Sequence, residues 1–444
     1  MKVPAITRMA GLVKVEGDAQ PARSARMFDP YLTTTHPLAS EIAGIVVANW
    51  NHGLPARRRR LKDRDDKAIR DMVRAIVANL ALAAFEGMEP PSIGVSLKDA
   101  KRKRSRYDRP GFSGLPRVIA VIDRTVDLLS LAKSSRKGTA SAITATPPFA
   151  KAVAGSEFRP HQFHIARERE TIWLSRMTRD YAAGTEEREL IDYRDTEETH
   201  RYRDEVGKIN VALQAADLAL HWNNGPPVAT SVRQLHRSFN LPPDAPEGTE
   251  RFDCGGRLFG GWWMNLPKER RHLIRIAGEP VADLDFASMF LRLAFLEAGE
   301  KPPEVDLYAA VPGLEEPRWR EGVKKAALAM LFRTTPLLRL PKDAKGLLPP
   351  RMSGSIAREA ILSAFPALAS VFEQGKGLGL MFTESQILIA AMLDLADQKI
   401  PALPMHDGLM VPISKATPAA RAMQDAAERI CGFRLPITVK ATYA

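Results

Sequence analysis

Two aspartates carry the chemistry most directly. Asp285 closes the segment Val281 to Phe286, where small or apolar residues alternate with Asp283 and Asp285, the period of a short strand. From Ser288 the apolar positions Met289, Leu291, Leu293, Ala294, Phe295 and Leu296 predict a packed helix, and Gly299 supplies its stop. A strand that ends in Asp and turns straight into a buried helix holds that carboxylate at a cleft edge, where a hard divalent cation finds a preorganised oxygen ligand. The bland alternative is that Asp285 only caps the helix. Asp407 is the second carboxylate, at the tip of a hairpin predicted over residues 401–412, Pro-Ala-Leu-Pro-Met-His-Asp-Gly-Leu-Met-Val-Pro. Two strand-borne aspartates meeting across a sheet suit a pair of metal ions about 3.5–4 Å apart, the arrangement used for in-line phosphoryl or nucleotidyl transfer.

Two further stretches carry cations and rings. Arg320, Lys324, Leu328 and Phe332 recur every four residues on a predicted helix, so two cations precede two apolar groups along one stripe. Such a stripe can clamp a triphosphate with its first half and pack on a base with its second, although any amphipathic surface helix has the same period. Upstream, residues 256–267 combine glycines that allow close backbone approach, the cation Arg257, aromatic faces for stacking and the amide Asn265. A Gly/Trp-rich turn packed on the core is the alternative there. His406 either positions a primer terminus by hydrogen bonding or is a buried structural histidine.

Over about residues 250–444 these stretches, in this order, resemble family A DNA polymerases. Asp285-Phe286-Ala287-Ser288-Met289-Phe290-Leu291-Arg292, with Gly299 seven residues on, is similar to that family's motif A, D-Y-S-Q-I-E-L-R; Met405-His406-Asp407 is similar to the V-H-D of motif C. Gly256-Arg257-Leu258 and Asn265-Leu266-Pro267 resemble the family's G-R-L-S-S-S and L-Q-N-I-P, and the 320–332 stripe resembles its Arg, Lys, Phe, Tyr helix of the fingers. The departures are specific: Phe259, Gly260 and Gly261 replace serines, Met264 replaces Gln, Leu328 and Phe332 stand for the Phe and Tyr, and Gly408 stands where motif C has Glu. The resemblance implies an α+β right-hand core with an antiparallel palm sheet and helical fingers. It also implies template-directed DNA synthesis with two Mg2+ ions held by Asp285 and Asp407, dNTP contacts from Arg320, Lys324, Leu328, Phe332 and Phe290, and primer-template contacts from Arg257, Asn265 and His406. Phe290 occupies the motif A Glu position that crowds the 2′ carbon, so bulk there implies deoxynucleotide preference. A primase or RNA polymerase on the same palm is one alternative. A non-catalytic DNA-binding replication initiator or regulator, suggested by Gly408 and the missing aromatic, is another.

The remaining chain must position these groups and bring them to nucleic acid. A net charge of +12 and a pI near 9.7 over 444 residues point to a polyanionic partner. Two cysteines, Cys254 and Cys431, exclude a disulfide framework, and no apolar run reaches membrane-spanning length without charge, so a cytoplasmic, monomeric protein with no membrane contact is expected. The expected division is a basic arm and helix over 1–64, a winged-helix-like nucleic-acid-binding domain over 65–150, a thumb-like or connecting helical region over 151–249, and the polymerase-like part over 250–444. Basic runs at Arg57–Arg60 and Lys101–Arg104 are either phosphate contacts or solvated helix faces. In the second region, helices over 66–86 and 115–130 precede two short strands around Arg136-Lys137-Gly138, with Pro147-Pro148 as a boundary. A long helix is expected from about Thr196 to Leu220. The segment holds no carboxylate cluster of a proofreading exonuclease.

Overall fold

The computed structural model describes residues 26–50, 62–97, 105–134, 140–155, 158–180, 185–221, 225–405 and 407–442. The chain is a mixed α+β protein with several antiparallel sheets. It forms two compact units, residues 1–170 with 220–234, and residues 171–219 with 235–444.

In the first unit the helix Asp63–Phe85 is the axis of the core. Asp63, Asp65 and Asp66 in its first turn complement the positive end of the helix dipole, and almost every residue from Ala75 to Ala83 is buried. The helices Pro37–Ala48, Leu115–Thr125 and Pro147–Gly155 share that core. A three-stranded antiparallel sheet in the order Ser92–Val95, Ser141–Ala145, Leu129–Ala132 completes it. The helix expected over 115–130 ends at Thr125. The Thr125 hydroxyl donates to the Val121 carbonyl at 2.8 Å, Val126 turns extended, and β-branched Val126 leads into the strand from Leu129. Pro147 and Pro148, expected at a boundary, instead open a helix, where a missing N–H costs nothing, and the unit continues to Glu170. The basic runs at 57–60 and 101–104 and the hairpin tip at 136–138 lie outside the described residues.

The second unit has two sheets. One contains Gly255–Phe259, His236–Leu241, Ile172–Asp180 and Thr185–Leu190, in that order, with the middle pair parallel. Its inward face carries Arg237 and Phe239, packed against Tyr202 of the helix Glu197–Ala215 and Phe382 of the helix Gly377–Asp397. The helix expected to reach Leu220 stops at Ala215, because Leu218–Leu220 is recruited as an edge strand of the other sheet. That second sheet centres on Glu279–Phe286, which pairs antiparallel with Gly408–Pro412 on one side and with Ile437–Thr442 on the other. Among the described residues, Gly377–Asp397 alone is long and apolar enough to cross a membrane, and half of it is buried inside the protein. Cys254 and Cys431 are free thiols.

Candidate active site

The strand Glu279–Phe286 carries Asp285 at its penultimate position, directly opposite Gly408, so the Asp407 tip of the hairpin lies beside Asp285. The geometry removes the helix-cap role from Asp285. The helix Met289–Glu297 starts from Ser288, whose φ of 51° and lack of a side-chain cap bond leave Asp285 free of that duty. A non-glycine residue held left-handed stores strain, and such strain concentrates where a structure fixes a functional group. Burial, then the Asp407 charge, pushes the Asp285 carboxyl up to about 6, with Lys440 opposing them. Asp285 Oδ1 is buried and has no hydrogen-bond partner.

Lys440 fills the other oxygen, its Nζ 2.5 Å from Asp285 Oδ2. The sheet register explains how it gets there. Thr438 faces Asp285 and Val439 faces Leu284, but Ala441 faces Asp283, so Lys440 is the extra residue of a bulge that aims its side chain at the aspartate. Burial disfavours the Lys440 charge, yet Asp285 and the neighbouring Asp407 and Asp283 hold its pKa above the usual ammonium value. Asp283, two residues before Asp285 and on the same face, is also pushed up by burial, against the pull of Lys440. Gly408 is required by the pairing: a Cβ there would sit 2.4 Å from the Leu284 carbonyl oxygen and 3.1 Å from Asp285 Oδ1.

These groups open onto a cleft of about 680 Å³. Seven of the ten site residues expected from sequence line it: Asp285, Asp407, Arg257, Phe290, Arg320, Lys324 and Leu328. The helix Arg320–Phe332 buries Gly322, Val323, Ala326, Ala327, Met330 and Leu331, which leaves the stripe from Arg320 through Leu328 on the cleft side. Arg320 is held there by Asp306, Nε to Oδ2 at 2.6 Å, and Asp306 also accepts from the Ser288 hydroxyl and the Tyr308 amide. Tyr308 is buried in the same cleft; desolvation, then the Asp407 charge, suppresses ionisation of its phenol.

Three expected residues stand elsewhere. Phe332, at the end of its helix, is 40% exposed and packs against Gly377 and, at 5.8 Å between ring centroids, against Phe290, so it lies beside the cleft and does not line it. Asn265 is exposed at the end of a short turn and does not reach the cleft. That turn is held by Trp263, fully buried with its indole N–H donating to the Pro404 carbonyl at 2.9 Å. Trp262 and Trp263 therefore belong to the core and offer no face for base stacking. His406 lies outside the described residues.

Arg257, expected to contact primer and template, is bound in a forked ion pair with Glu384 at 2.7–3.0 Å while its guanidinium sits 5.7 Å from the Phe290 ring. Glu384 is fully buried in the helix Gly377–Asp397; desolvation pushes its carboxyl up to about 7 despite Arg257. Sequence reasoning gave Glu384 no such role, although a charge inside the apolar run from Gly377 to Leu395 is itself a signal that a partner must exist. Lys440 and Asp306 had no comparable signal, since their roles depend on sheet register and loop path, whereas the strand alternation before Asp285 already put Asp283 on its face. Among the described residues no three acidic, imidazole or thiol groups gather at metal-ligating distance, so the aspartates stand as a pair. No family model matches the chain, and no curated protein matches it.

Proposed function

We propose that this chain is a template-directed DNA polymerase whose palm is the sheet around Glu279–Phe286 and whose fingers include the helix Arg320–Phe332. The observation that carries the reading is the pairing of Asp285 and Asp407 by adjacent strands in a cleft whose wall presents Arg320 and Lys324. The acidic pair fits a divalent cation: Asp285 Oδ1 is a buried acceptor without a donor, and a carboxylate pushed up by burial and then by a like neighbour gains from any added positive charge. When bound, two Mg2+ ions supply a more acidic primer 3′-hydroxyl and neutralise charge on the phosphates. Asp285 and Asp407 would hold those ions. Arg320 and Lys324 take the β- and γ-phosphates of a dNTP through charge-assisted hydrogen bonds. Phe290, its ring fixed between Arg257 and Phe332, limits the space at the sugar. The first unit, with helices preceding a two-stranded hairpin, fits a winged-helix-like DNA contact, and the basic charge of the chain fits a primer-template partner.

Primer extension on a labelled duplex with Mg2+ tests the reading. Wild type extends; Asp285→Asn or Asp407→Asn loses extension by at least about a hundredfold and binds DNA as before, since phosphate contacts elsewhere carry the affinity. Full incorporation by either variant refutes the metal assignment. A second reading, a DNA-binding protein with a silent palm, is favoured by Lys440 on Asp285 and by Gly408, at which a glutamate does not fit. Wild-type DNA binding with no extension in Mg2+ or Mn2+ selects it.

A further inference from the structure

Lys440 stands on the aspartate that would take a metal, and the polymerase chemistry leaves it without a part. Its Nζ lies 2.5 Å from Asp285 Oδ2. The bulge in Ile437–Thr442 turns the side chain inward, yet half of its surface, 51%, stays exposed, and Lys440 lines the cleft beside Asp285, Asp407 and Lys324. The pair is therefore open on its ammonium side, and the four-carbon stem is free to swing into the cleft. The Lys440 charge answers Asp407 and Asp283 as well as Asp285. Among the described residues no second cation contacts Asp285, and its Oδ1 has no donor at all.

Two carboxylates in a half-buried site repel unless a positive charge stands between them. Lys440 supplies that charge to an empty site, which lets the acidic pair fold before a metal arrives. A divalent ion supplies twice as much. On the same carboxylate it stands about 4 Å from an ammonium that keeps its hydrogen bond, where like charges repel strongly at low effective dielectric. Lysine and ion therefore oppose each other, and by linkage each weakens the hold of the other. We propose that Lys440 is a tethered competitor for the metal position on Asp285: it neutralises the acidic pair when no metal is present, and a divalent cation binds by driving it off into the cleft. The proposal rests on Asp285 and Asp407 as metal ligands, taken from the polymerase reading, and on no step of nucleotide transfer.

The test is Mn2+ binding to the full chain without nucleotide or nucleic acid, followed as free Mn2+ by electron paramagnetic resonance, with Mg2+ titrated in competition. Lys440→Met, which keeps the stem and loses the charge, is expected to bind Mn2+ about tenfold or more tightly than wild type, and Lys440→Arg, which keeps the charge, to stay within about threefold of it. Lys268→Met controls for charge acting at a distance, since Lys268 is exposed and its charge reaches Asp283. That variant is expected to change the affinity by less than about twofold at ~0.15 M salt. Asp285→Asn in the Lys440→Met background is expected to abolish the tight binding. Thermal unfolding gives a second measure that tolerates a weakened fold: in EDTA Lys440→Met melts below wild type, and saturating Mn2+ raises its melting temperature by more than it raises that of wild type. Equal or weaker Mn2+ affinity in Lys440→Met, an equal gain in Lys268→Met, or tight binding that survives Asp285→Asn each overturns the proposal. Primer extension is scored separately. Tightened metal binding in Lys440→Met, with no extension by wild type, keeps Lys440 as the competitor and removes the polymerase reading; extension by wild type with equal metal affinities does the reverse.

Discussion

Glu384→Gln tests how the buried ion pair behind the cleft is held. Glu384 is completely buried, and desolvation, opposed by Arg257 and reinforced by Asp407 and Asp285, raises its carboxyl from 4.5 to about 7. A carboxyl raised on folding binds its proton more tightly in the native state, so its contribution to stability is fully present below about pH 4.5 and is lost as pH rises through 7. The gap of about 2.5 pH units corresponds to ~3 kcal/mol at ~1.4 kcal/mol per unit. Glutamine keeps the shape and one acceptor for Arg257, which at 21% side-chain exposure reaches water for its remaining donors, and it has no charge to desolvate. Relative to wild type, the variant therefore gains ~2.5 kcal/mol between pH 5 and pH 8.5, or roughly 5–10 °C of melting temperature for a unit of this size. Thermal unfolding across that range, in EDTA and without nucleic acid, measures it. Parallel curves for the two proteins, or a variant that loses ground as pH rises, would refute the account and place Glu384 as a fully ionised partner of Arg257 at every pH tested.

Two further perturbations read the same site. Gly408→Ala places a methyl 2.4 Å from the Leu284 carbonyl, so the strand pair that aligns Asp285 with the hairpin must part; a stability loss of about 1–3 kcal/mol in unfolding experiments is expected, and an unchanged melting point refutes the close approach. On the polymerase reading, Phe290→Ala makes room at the nucleotide sugar, and the ratio of dNTP to rNTP incorporation, which cancels any loss of folded protein, is expected to fall; an unchanged ratio removes Phe290 from substrate selection.

The chain by itself determined the local half of this structure. Strand alternation before Asp285, the apolar helix after it, the hairpin carrying Asp407 and the four-residue stripe from Arg320 are all short-range patterns, and the elements form at those places because periodicity and turn chemistry act within about ten residues. Six of the residues so marked, Asp285, Asp407, Phe290, Arg320, Lys324 and Leu328, line one cleft, because the elements that carry or flank them are laid out by their own local pattern. Tertiary structure decided the rest. Helix ends moved where pairing with a distant strand outweighed local propensity, at Thr125 and at Ala215. The tryptophans of the Gly-Trp turn went to the core because a hydrogen bond to Pro404, over a hundred residues away, holds Trp263 there. The charges that answer the aspartates and the cations also come from far along the chain. A one-residue bulge aims Lys440 at Asp285, a loop carries Asp306 to Arg320, and helix packing sets Glu384 against Arg257. Their positions depend on register and on contacts between remote segments, which no local pattern encodes.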